Sequence, residues 1–294
     1  MRASAPPSSS RSSLGIDRGG AALITGASSG VGEAFARTLA ARGVALLLTA
    51  LPAEQERLAS IADELARQHG IRCLFVPVDL ADPDGPERLR AAADELQFEP
   101  DLVVNSAGIG ASGRFADLPL DRQLRMIRVN AEGVAHITGI YLPRMIARQA
   151  GAVINIASTA AFQPLPYFSV YAASKAFVLS LGEALWAECR GDGVRVISVC
   201  SGPVETPFHA GAGAGASDGA PRSFLRRRYM TPQRVVDTAL AAVARDRPTV
   251  VLRMPVVGLL YYPVAALRAF VPLHVRLRLS ARLGRFLYRP RDTG

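Results

Sequence analysis

Residues 21–32 read AALITGASSGVG. An apolar run, Ala21–Thr25, passes without a spacer into a glycine-rich turn. The stretch behind it, EAFARTLAARG (33–43), carries apolar residues at helical spacing. Strand, glycine turn and helix in this order are what a dinucleotide site requires. Gly26 allows the tight turn, Gly30 lets the backbone approach a pyrophosphate, and Gly32 lets helix and strand pack closely. The start of the helix, with its free N–H groups and positive dipole end, then faces the phosphates.

The same alternation continues along the chain. VALLLT (44–49), IRCLFVPVD (71–79), DLVVN (101–105), AVINIAS (152–158), VRVISVC (194–200) and TVVL (249–252) read as buried strands. Between them lie helical patterns such as EQERLASIADELARQHG (54–70) and QRVVDTALAAVARD (233–246). Continuous apolar strands separated by helices imply a parallel sheet covered on both faces. The expected fold is a single doubly wound α/β domain of Rossmann type, residues 19–252, with about seven strands and helices on both faces. Residues 1–18 are expected to be a disordered leader and 253–294 a basic, apolar tail. HAGAGAGASDGAP (209–221) is expected to be a mobile loop.

The chain has 294 residues, 49% of them hydrophobic, and a formal charge of +9. Eight arginines and one acid from Arg253 onward place +7 of that charge in the tail. The body is nearly neutral, which argues against a nucleic-acid partner. Three cysteines (Cys73, Cys189, Cys200) without paired spacing read as buried thiols in a reducing compartment. Four scattered histidines make no ligand set, so no metal is expected. The first twenty residues lack an apolar h-region, so no secretory signal is expected. The expected location is cytoplasmic, with a peripheral place on a membrane surface as the tail's contribution.

Thirty-three of the 34 basic residues are arginine, and the one lysine is Lys175, closing YAASK (171–175). Four residues apart in the helical stretch 167–189, Tyr171 and Lys175 share a face. A phenol of pKa about 10 is a poor acid or base at neutral pH. An adjacent ammonium favours phenolate and brings that pKa towards the working range. A compact ammonium also suits this better than a bulky guanidinium fork.

The spacing TGxxxGxG (Thr25–Gly32), NSAG (Asn105–Gly108) and the YxxxK of Tyr171 and Lys175 resemble the short-chain dehydrogenase/reductase family over about residues 20–252. Ser106 and Ser201 depart mildly from the family's NNAG and PGxVxT. The resemblance implies a nicotinamide cofactor held by Thr25, Gly26, Ser28, Ser29, Gly30, Val31 and Gly32 on the turn. It adds Asp79 and Leu80 near the adenine, then Asn105, Ala107 and Gly108. Tyr171, Lys175, Pro203, Val204 and Thr206 complete the set beside the nicotinamide. It further implies hydride transfer to or from a carbonyl or carbinol carbon of a small molecule. Tyr171 would be general acid/base, Ser158 would bond the substrate oxygen, Lys175 would tune Tyr171 and bind ribose, and Asn130 would hold a relaying water. A non-catalytic dinucleotide-binding sensor on the same fold is the alternative, although such a protein needs the glycines and not the tyrosine.

The position that binds the adenosine ribose falls in LLLTALPAEQ (46–55), where Ala50 and Leu51 supply neither an acid nor an arginine. The missing acid favours NADP over NAD. Arg57 stands farther along the chain than that position. In the tail, MPVVGLLYYPVAAL (254–267) is too short to span a bilayer. The arginines interleaved with Leu, Phe and Tyr after it fit a basic amphipathic segment lying on an anionic membrane surface. They fit equally a segment packed on the body or on a second subunit. Among relatives such tails often accompany reductases of lipophilic alcohols and ketones, so the resemblance suggests a greasy substrate without identifying it. A homo-oligomer is expected.

Overall fold

The computed structural model describes Leu14, residues 16–208 and residues 229–252. The mobile loop expected at 209–221, the tail 253–294 and most of the leader lie outside the described residues. Within the stretch 1–18, however, Ile16 is buried in the core and Leu14 packs against it, so ordered chain begins before residue 19.

Seven parallel strands form one sheet: β1 (Ala21–Thr25), β2 (Ala45–Thr49), β3 (Cys73–Phe75), β4 (Leu102–Asn105), β5 (Gly151–Ser158), β6 (Val194–Ser201) and β7 (Thr249–Val251). Their order is β3-β2-β1-β4-β5-β6-β7. The direction of winding reverses between β1 and β4, and ligands of such sheets bind at the carboxyl ends of strands beside that reversal. The apolar run 71–79 yields only a short edge strand. Val76 and Val78 still donate to the Leu48 and Ala50 carbonyls, but Pro77 between them has no N–H.

Helices α1 (Gly30–Ala41), α2 (Gln55–His69), α3 (Gly85–Glu95), α4 (Leu120–Ile127), α5 (Gly133–Ala147), α6 (Ser169–Glu188) and α7 (Pro232–Ala244) cover the sheet. Side chains alternate along each strand, so each strand feeds two cores. Ile24, Leu46, Leu48, Ile154 and Ile197 meet Phe35 and Leu39 of α1, Leu58 and Leu65 of α2, and Leu240 of α7. Leu23, Leu47, Val103, Val153 and Val196 meet Leu89 of α3 and Ile137, Tyr141 and Met145 of α5. Each such side chain withdrawn from water contributes about 1.5–3 kcal/mol. The two layers therefore hold the strand ends, and the loops on them, in fixed positions.

Candidate active site

The glycine turn is built by close approach. Gly26 has φ +66°, and a Cβ on it would lie 2.8 Å from Cα of Ala107. A Cβ on Gly32 would stand 2.2 Å from the Gly26 carbonyl oxygen, so only glycine lets α1 seat against the turn. Gly30 has φ +56°, and its absent side chain makes room for Thr206. Ser29, the residue before α1, adopts an extended backbone and makes no side-chain cap. The first-turn N–H groups of α1 thus lack that partner and suit an anion. Ser28 is buried beside them and Val31 packs against the core.

Several residues expected at the cofactor serve the walls of the site. Thr25 Oγ1 accepts from the N–H groups of Ser106 and Ala107, both at 3.0 Å, and so fastens the NSAG segment to β1. Asn105 is buried and donates to Thr138 Oγ1 (3.1 Å) and Asn155 Oδ1 (2.9 Å), between sheet and α5. Asp79 accepts from the Ala81 N–H (2.8 Å) and from Arg125 of α4 (2.6 Å), while Leu80 is buried beneath Gly133. Pro203 and Val204 are clamped by Met230: Met230 N–H donates to Pro203 O (3.0 Å), and Val204 pairs with Met230. Thr206 Oγ1 bonds the Val204 carbonyl at 3.4 Å.

The four residues expected to be catalytic gather at one end of β5 and α6. Lys175, 5% exposed, donates from Nζ to the Ile156 carbonyl at 2.8 Å. Burial pushes its pKa down to about 8. Ser158 closes β5, two residues after Ile156. Its hydroxyl accepts from the Ala160 N–H (3.1 Å) and makes only a long bond, 3.4 Å, to the Ser201 carbonyl. One turn ahead of Lys175, Tyr171 places its ring centroid 5.9 Å from Nζ. Phe168 stacks on that ring at 4.3 Å and Phe208 tilts against it at 5.5 Å. Ala111, Met126 and Leu165 complete the apolar surround.

Asn130 is wholly buried in a single π-helical turn, Arg128–Glu132, between α4 and α5. Its amide exchanges two 2.9 Å hydrogen bonds with the backbone of Ile109 and donates to Ser174 Oγ at 3.1 Å. Ser174 in turn donates to the Tyr171 carbonyl at 2.8 Å. Sequence reading missed Ser174, although a serine three residues after the tyrosine on a helix can bond back to it. Around Gly108 the parts meet: a Cβ there would lie 3.4 Å from both Asn130 Oδ1 and Lys175 Nζ. Cys189 and Cys200 are buried and Cys73 only partly so; burial pushes the Cys73 and Cys200 thiols up to about 12.

A glycine turn against which α1 seats, together with a buried ammonium one helical turn from a tyrosine, suits a nicotinamide dinucleotide and defines the class of enzyme. Comparison with known proteins narrows the class. The family described as short chain dehydrogenase matches residues 20–216. Oxidoreductase UcpA of Escherichia coli (strain K12) is 36% identical over 213 residues, covering 72% of this chain and 80% of the relative. The very-long-chain 3-oxoacyl-CoA reductase of Anas platyrhynchos is 36% identical over 194 residues, 64% of this chain and 61% of that one. Among solved structures, a short-chain dehydrogenase from Sphingobium yanoikuyae in complex with NADPH has a TM-score of 0.70 at 28% identity, covering 86% of this chain and 97% of its own. The chain belongs to the short-chain dehydrogenase/reductase family and is an NAD(P)-dependent oxidoreductase.

Proposed function

We propose that this enzyme reduces a lipophilic ketone or aldehyde with NADPH, using Tyr171 as the proton donor. The observation that carries the reading is the setting of Tyr171, walled by Phe168, Phe208, Met126 and Leu165 and facing one buried ammonium. When bound, the nicotinamide supplies the hydride. Tyr171 donates its hydroxyl proton to the substrate oxygen, and the neighbouring ammonium stabilises the phenolate left behind. Ser158 orients the same oxygen, because its long bond to Ser201 is readily exchanged for a better one. Lys175 keeps two N–H groups for the ribose hydroxyls after bonding Ile156. Asn130, committed to Ile109 and Ser174, retains one lone pair on Oδ1 for a relaying water and otherwise positions the π-turn.

The missing acid at Ala50 supports NADPH. The similarity to a reductase named for very-long-chain 3-oxoacyl-CoA supports a greasy substrate. NADPH oxidation should be assayed against matched ketones of rising chain length and against polar sugars. Rising kcat/KM with apolar surface supports the reading; a preference for the sugars, or no turnover at all, refutes it.

Two further assignments belong to this reading. Leu120, Leu124 and Ile127 recur at helical spacing on exposed positions of α4, with Phe177 exposed on the adjoining α6, and they support a homo-oligomer. The tail, with its +7 charge, is assigned to an anionic membrane surface. Among the described residues no helix is long and apolar enough to cross a membrane.

A further inference from the structure

Arg57 lies in the first turn of α2, beyond the position that sequence spacing assigns to the adenosine ribose. Folding brings it back to the glycine turn. The Ala27 N–H donates to the Thr49 carbonyl at 3.1 Å, so the turn and the end of β2 lie side by side. There Arg57 Nε donates to the Ser28 carbonyl at 2.5 Å, and one terminal nitrogen donates to Glu33 Oε2 at 2.7 Å. The guanidinium is thereby fixed where turn, α1 and β2 meet. Its side chain is still 58% exposed, and its second terminal nitrogen has no protein partner among the described residues.

We propose that Arg57 selects the 2′-phosphate of the cofactor and that Glu33 is its internal competitor. A 2′-phosphate needs a cation beside the end of β2, where Ala50 offers no carboxylate to repel it. Arg57 is the arginine tied to the turn itself, and its fork can engage phosphate oxygens in pairs. Glu33 pairs with the guanidinium when no phosphate is present. It can release Arg57 without being stranded, because Arg37 Nε also donates to it at 3.0 Å. Arg37 is itself braced by Glu64 at 2.7 Å. The device therefore holds the arginine extended and ready, and gives it up to a stronger anion.

The inference rests on the NADPH reading, and the test separates the two. Full-length protein free of cofactor is titrated calorimetrically with adenosine 2′,5′-bisphosphate and with adenosine 5′-monophosphate, which differ only in the 2′-phosphate. The bisphosphate should bind at least roughly tenfold more tightly, the scale of one charge-assisted pair. Arg57→Gln should bring the two affinities to within about threefold of each other. Because it also removes the bond to Ser28, the readout is the ratio of the two affinities rather than either one alone. Arg57→Lys keeps charge without the fork and should fall between. Glu33→Gln should raise the preference. Equal affinities in the unmodified protein overturn the NADPH reading itself. A preference that survives in both Arg57 variants overturns the assignment to Arg57 alone, and a lower preference in Glu33→Gln overturns the competitor role.

Discussion

Replacing Lys175 with methionine should make the cofactor-free protein more stable at pH 7 while stopping turnover. Burial lowers the ammonium's pKa from its ordinary 10.5 to about 8. At 1.36 kcal/mol per pH unit, that difference costs the folded state about 3 kcal/mol wherever the lysine is protonated both folded and unfolded, below about pH 8. Methionine fills similar space without charge, and losing the 2.8 Å bond to Ile156 returns about 1 kcal/mol, leaving a net gain of about 2 kcal/mol. Between about pH 8 and 10.5 the unfolded chain holds a proton that the folded chain has released. Wild-type stability therefore rises with pH through that window, and this contribution is absent from the variant. The Cys73 and Cys200 thiols act in the opposite direction. Raised from 9.0 to about 12, they stay protonated in the folded chain where the unfolded chain loses the protons. Cys73 is common to both proteins. Cys200 also loses the lowering influence of the ammonium in the variant, but it is already protonated in the folded chain at pH 10, so the difference between the two still reports the lysine. Urea unfolding should show the variant ahead by about 2 kcal/mol at pH 7 and the gap nearly closed at pH 10. A variant less stable at pH 7, or a gap that ignores pH, would refute the reasoning.

Tyr171→Phe keeps the ring against Phe168 and removes the proton donor, so steady-state turnover should fall about 10²-fold or more with cofactor affinity within a few fold. A residual activity above about a tenth of wild type would count against the acid role. Gly32→Ala drives a methyl to 2.2 Å from the Gly26 oxygen and should cost about 1–3 kcal/mol of stability and at least tenfold in dinucleotide affinity, both read by thermal melts with and without cofactor. Unchanged affinity would show that the turn is not the binding surface. Leu124→Arg, on the exposed face of α4, should lower the mass seen by analytical ultracentrifugation; an unchanged mass would remove that face from any subunit contact. Removing residues 253–294 should leave a folded reductase that no longer sediments with anionic liposomes. Binding by the full chain should weaken with salt, at about 1 kcal/mol per basic residue near the surface. Aggregation of the shortened chain, or indifference of the full chain to liposomes at low salt, would place the tail on protein instead.

What was legible in the sequence was what local pattern dictates. Apolar runs long enough to be buried on both faces gave seven strands, and the absence of alternation in them gave parallel pairing before any contact was known. TGASSGVG is legible because its glycines answer a steric demand that no other residue meets, as the 2.2 Å clearance at Gly32 makes plain. Tyr171 and Lys175 are legible because a helix places residues four apart on one face, and because a chain built on arginine has one lysine.

What could not be read depends on where a side chain points once the layers close. Thr25 and Asn105 look the same in sequence whether a polar group faces a ligand or ties two segments together; only the contacts to Ala107 and Asn155 decide. Ile16 stands in a mostly polar leader, and only its place in the packed core shows it buried. Arg57 shows the limit most clearly. Counting along the chain moves it away from the ribose, but β2 ends beside the glycine turn and α2 starts only a few residues later, so its long side chain returns to Ser28. Linear distance from a motif is therefore a poor guide to a charged residue's role wherever parallel strands bring successive loops to one edge of the sheet. In this fold every β-to-α loop returns to that edge, and the search for a cofactor's partners has to run over loop ends rather than sequence neighbours.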